Sequence, residues 1–176
     1  MHQFESVERR ERERQFFESI GWHEITDPQE FEAISESFFG TFFSGTALQL
    51  PRPFTTWDVR HAETNSPNLN QFASDLHSKC LAALKSIEQP ACWYVLENIN
   101  HPWYRLELSK TPNHFDEWPI ALLPNADPCY LIANDLKCGI VAETDRTISV
   151  FGQPLLAAVN DHSPLVLKQV KNQSDA

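Results

Sequence analysis

The stretch from residue 66 to residue 90 constrains this chain more than any other. Leu69, Phe72, Ala73, Leu76, Cys80, Ala83, Leu84 and Ile87 recur at three- and four-residue steps, the spacing that lines one face of an α-helix. Ser66-Pro67 supplies a start and Gln89-Pro90 a stop. A helix this apolar along one side must be buried, and the segments C-terminal to it offer the cover. Residues 92–97, 103–108, 120–123, 129–133, 139–142 and 147–151 read as short strands, separated by turns such as Asn98-Ile99-Asn100-His101-Pro102 and Pro124-Asn125-Ala126-Asp127-Pro128. The expected fold is therefore α+β: a twisted antiparallel meander packed against two main helices.

The second main helix opens at Asp27-Pro28-Gln29-Glu30, where Asp27 caps, Pro28 suits the first turn and Glu30 stands at capping-box spacing. Phe31, Ile34, Phe38 and Phe42 form its stripe. Gly40 and Gly45 loosen its end, residues 48–53 read as a connector, and residues 54–59 read as a strand. Gly152-Gln153-Pro154 starts a short apolar helix over 155–159. Before Trp22, Glu5, Glu8, Glu11 and Glu13 alternate with Arg9, Arg10, Arg12 and Arg14, a pattern that supports a solvated helix through i,i+4 pairs. Only Phe16, Phe17 and Ile20 anchor it. The expected organisation is a helical extension over 1–20, one domain over 21–169 and a frayed tail over 170–176.

With 176 residues, 41% of them hydrophobic, the chain has the size and composition of one globular domain. Its 24 acidic and 14 basic residues leave a formal charge of -10, which argues against binding nucleic acid, where phosphates need Lys and Arg. The charge suits solubility, and it also suits steering toward a basic protein. Cys80, Cys92, Cys129 and Cys138 lie in apolar segments without C-x-x-C spacing, so reduced thiols and a cytoplasmic location are expected. No run is long and apolar enough to span a membrane, and the charged start lacks the apolar core of a signal peptide.

Chemistry-bearing patterns are sparse. His77 and Cys80 stand three apart on one helix, but Cys80 belongs to the core stripe, His77 reads as its edge, and no second ligand pair completes a zinc site. His101 with Asp116 or Glu117 offers acid–base chemistry of the kind a hydrolase uses. The same residues sit in turns, where polar side chains occur for local reasons. No nucleophile elbow, phosphate loop or dinucleotide fingerprint occurs; no catalytic residue, metal or cofactor is expected. The best candidate for a binding face is the aromatic and acidic stretch holding Glu97, His101, Trp103, Glu107, Asp116 and Glu117, with Trp103 as an exposed anchor.

Over residues 22–159 the order of features resembles a bacterial family, domain of unknown function 2716. The resemblance rests on Trp22 with Asp27, on Phe54-Thr55-Thr56-Trp57-Asp58-Val59, and on Trp93-Tyr94-Val95-Leu96-Glu97 followed by His101-Pro102-Trp103-Tyr104. Trp118-Pro119-Ile120-Ala121-Leu122-Leu123-Pro124-Asn125-Ala126-Asp127 and Thr147-Ile148-Ser149-Val150-Phe151-Gly152 complete it. The chain departs from the family at Ala126, where glycine is preferred, and at Ala142-Glu143-Thr144-Asp145, where the family carries Gly-His-Pro-Trp. By analogy with other small bacterial domains, the resemblance implies an immunity protein that neutralises a cognate, basic toxin domain. The rival expectation is a small-molecule-binding domain or hydrolase built on His101.

Overall fold

The structure, a computed structural model, describes residues 2–60, 69–87, 92–97, 102–113, 118–119 and 127–168. The expected strand at 120–123 and the tail beyond residue 168 lie outside them.

Helix α1 (His2–Ser19) is the charged extension. Arg9 pairs with Glu13 at 2.9 Å, and Arg14 is held by Glu11 at 2.8 Å and Glu18 at 3.1 Å. These exposed pairs are screened by solvent and contribute little to stability. The helix docks at its far end, where Phe17 and Ile20 pack against the core while Phe16 stays half exposed. Gly21 then turns the chain with a φ of 85°. A Cβ there would lie 2.5 Å from the Glu107 carbonyl oxygen, so glycine is required by both conformation and space.

Strand β1 (Trp22–Glu24) leads into α2 (Pro28–Phe42). The Asp27 carboxylate accepts from the Gln29 amide at 3.0 Å, a side-chain N-cap. The Glu30 carboxylate accepts from the Arg105 guanidinium across the fold. The helix runs through Gly40, and a small hairpin, β2 (Phe43–Ser44) with β3 (Ala47–Leu48), separates it from the connector expected at 48–53.

Strand β4 (Phe54–Asp58) precedes the long helix α3 (Leu69–Ser86). Strands β5 (Trp93–Leu96), β6 (Tyr104–Leu106), β7 (Cys129–Ala133), β8 (Gly139–Ala142) and β9 (Thr147–Phe151) come next, then α4 (Gln153–His162) and α5 (Leu165–Lys168). Seven strands form one open antiparallel sheet in the order β1-β6-β5-β7-β8-β9-β4. The fold is α+β, and the two main helices lie on opposite faces of the sheet. Trp93, Val95, Leu131, Ile140 and Val150 join Leu76, Leu84 and Leu155 in one core. Leu96, Tyr130, Ile132, Val141 and Phe151 join Ile34, Phe38 and Phe42 in the other. Covering both faces explains why every residue of β7 and β8 is buried.

Beyond β9, Gly152 has a φ of 86°, and a Cβ on it would sit 2.3 Å from that of Cys138. Only glycine lets the chain pass so close and turn into α4. The four cysteines are unbridged. Burial pushes the thiols of Cys80 and Cys129 up to about 12 and that of Cys138 to about 11, which keeps them protonated and inert near neutral pH. No helix among the described residues is long and apolar enough to cross a membrane.

Candidate functional site

Of the six residues expected on a binding face, His101, Asp116 and Glu117 lie outside the described residues. Trp103 corrects the expectation of an exposed anchor. It is 1% exposed, beneath α2, with its ring 4.5 Å from that of Phe31 and 6.3 Å from that of Phe38. Its position just before β6 turns it to the α2 side, and the Ile25 amide clamps its carbonyl at 2.8 Å. Glu97 and Glu107 do not converge either. The register pairs Val95 with Tyr104 and Trp93 with Leu106, so Glu97 lies past one end of the β5–β6 hairpin and Glu107 past the other.

Glu107 instead belongs to a recess of its own. Glu107 lies with His23, Cys92, Arg105 and Leu106 around a groove of about 290 Å³. His23 Nε2 is 3.5 Å from Glu107, whose other contacts are Lys110 at 2.8 Å and Ser109 at 3.0 Å. The Lys110 contact, then the Ser109 hydroxyl, hold the Glu107 carboxyl below its ordinary pKa. Burial raises the Cys92 thiol, so it is not an activated nucleophile. The groove offers a His–carboxylate pair to a small polar ligand.

A second recess, a cleft of about 460 Å³, lies between α1 and the β1–β6 edge. Arg10, Glu13, Arg14 and Phe17 line it from α1; Glu24, Pro102 and Tyr104 line it from the sheet. Tyr104 is only 8% exposed. Its ring is fixed edge-on against Phe17 at 6.3 Å and Trp22 at 5.5 Å. Burial, then the fields of Glu24, Glu97 and Glu13, push its hydroxyl up to about 12.

A third feature is the outward side of α2. Ile34, Phe38 and Phe42 face the sheet, which leaves Glu32, Glu36 and Phe39 exposed on the other side. Among the described residues no ion pair is formed by Glu32 or Glu36. Phe39 is 39% exposed, with its ring braced by Phe38 at 5.2 Å and Phe43 at 5.4 Å.

Two features lay beyond sequence reasoning. His77, read as the edge of the α3 stripe, is 1% exposed, with its ring 3.9 Å from that of Trp118. Glu143 hydrogen-bonds to Tyr130 and is half-buried, and burial outweighs that bond to raise its pKa. Among the described residues no three His, Cys, Asp or Glu side chains are grouped to hold a metal ion.

The family described as "Protein of unknown function (DUF2716)" matches residues 18–156. The chain belongs to this family. It is also similar to "Uncharacterized protein YxiI" of Bacillus subtilis (strain 168), at 25% identity over 125 residues, 67% of this chain and 76% of that one. No solved structure matches. The matched span takes in both core clusters except Val159, Leu167 and the partly buried Phe17 and Ala158, and most of α1 precedes it.

Proposed function

We propose that this DUF2716 member is a binding protein of the immunity type, which holds a basic protein partner, such as a toxin domain directed at nucleic acids or nucleotides, and neutralises it. The observation that carries the proposal is the outward side of α2. Glu32 and Glu36 stand one turn apart with no ion-pairing residue described beside them, next to the braced, exposed ring of Phe39. An aromatic anchor flanked by uncompensated charge suits a partner of opposite sign: the ring is desolvated on contact, and the charges steer the approach. The formal charge of -10 extends the same field over the molecule.

The test is capture from extract of the native cell by the wild-type protein and by a Glu32→Lys/Glu36→Lys variant. A basic protein retained by the first, lost by the second, and forming a stoichiometric complex when both are purified supports the proposal. Equal retention by the two variants contradicts it. The groove at His23 and Glu107 favours a second reading, binding of a small polar ligand with acid–base assistance. Turnover of such a ligand that disappears in both His23→Gln and Glu107→Gln would select it.

A further inference from the structure

We infer that the cleft between α1 and the β1–β6 edge receives a guanidinium side chain from a basic protein partner. The inference rests on the proposed binding of such a partner and names an anchoring point for it. The cleft joins three kinds of group that suit a cation. The first is Tyr104, more than nine-tenths buried yet lining the cleft. No described residue hydrogen-bonds to its hydroxyl, which remains protonated across the physiological range. Phe17 and Trp22 lock the ring, so the hydroxyl is held for a ligand at little entropic cost.

The second is carboxylate. Glu24 is the register partner of Tyr104 on β1, which stands the two side chains side by side on one face. Glu13 reaches the same hydroxyl from α1 and Glu97 from the end of β5, both through their fields. The third is the aromatic lining of Phe17 and Tyr104, an apolar wall suited to a weakly hydrated cation.

Two arginines also line the cleft, and both signs have partners outside it: Glu13 pairs with Arg9. Arg14 is committed to Glu11 and Glu18, and its charge also interacts with Glu24, so a guanidinium is already accommodated at the rim. Arg10 stands at the mouth from the α1 side. Arginine suits the space better than lysine, because a planar fork can share its N–H donors among a hydroxyl and several carboxylates.

The experiment uses the full chain and capped arginine (acetyl-arginine-amide) as probe. Capped citrulline, which has nearly the same shape without the charge, and inorganic phosphate serve as comparisons. Ring resonances report directly, since the chain has only three tyrosines and Tyr104→Phe assigns the one of interest. The expected result is a saturable shift at Tyr104 with arginine, in roughly the millimolar range. Citrulline should bind about tenfold more weakly, Glu24→Gln should weaken arginine about three- to fivefold, and Asp161→Asn on α4 should leave it unchanged. Equal shifts with arginine and citrulline, a larger shift with phosphate, or no saturation would overturn the inference. A silent Tyr104 alongside partner capture that still depends on Glu32 and Glu36 removes the cleft and leaves the proposed function standing. Saturable arginine binding with no basic partner captured keeps the cleft and removes the partner.

Discussion

Among single residues, burial decides which aromatic and titratable groups serve the fold and which are available for contact. Trp103 and Phe39 both belong to aromatic runs in the sequence, yet one is 1% exposed and the other 39%. Trp103→Ala should therefore cost about 3–5 kcal/mol of stability, and Phe39→Ala less than about 1 kcal/mol. Urea melts of the two variants check this, and comparable losses would contradict the assignment of Phe39 to the surface. His77 gives a pH signature. Desolvation lowers its pKa from 6.5 to about 4, so the unfolded chain takes up the proton first as pH falls. Its contribution is whole above 6.5 and is lost as pH drops through about 4. That loss should reach roughly 3 kcal/mol. Stability measured against pH should fall less steeply across this interval in His77→Met than in wild type, whatever their absolute difference. Parallel curves would show that His77 does not titrate in this way.

At the level of elements, the sequence announces what is local and conceals what is not. The α3 stripe and the Asp27 cap of α2 repeat at helical spacing, and the structure places both helices within a residue or two of expectation. β1 is three residues long, too short for alternation to register, and exists because β6 lies beside it. The placement of α2 and α3 on opposite faces depends on pairings between distant strands, which no window along the chain contains. For that reason Trp103 reads as exposed when the sheet is imagined with one covered side. Glu97 and Glu107 read as neighbours for a similar reason, although hairpin register sends them to opposite ends. The exposed set on α2 was legible in principle, since Glu32, Glu36 and Phe39 fall off the buried stripe. What the sequence lacked was any sign that Phe38 and Phe43 would brace Phe39. For α1, ion pairs on an exposed surface contribute little, and its anchors begin at Phe17. Removal of residues 1–15 should thus lower the melting temperature less than Leu76→Ala, which empties a fully buried site and should cost about 2–5 kcal/mol. A truncation more damaging than that substitution would make α1 integral to the core.

For the whole molecule, the sheet's two covered faces leave function to the periphery. The recesses at Glu107 and Tyr104 lie at the β1–β6 edge, and the outward side of α2 is the solvent face of a helix that covers the sheet. The central claim is that acidic groups on α2 steer a basic partner while Phe39 holds it. Association and dissociation rates of the purified complex, measured at low and high salt, test it most directly. Glu32→Lys/Glu36→Lys should slow association about tenfold at low salt and flatten its salt dependence. Phe39→Ala should leave association nearly unchanged and speed dissociation about tenfold or more. Association as fast for the charge-reversed protein as for wild type at low salt would contradict the account.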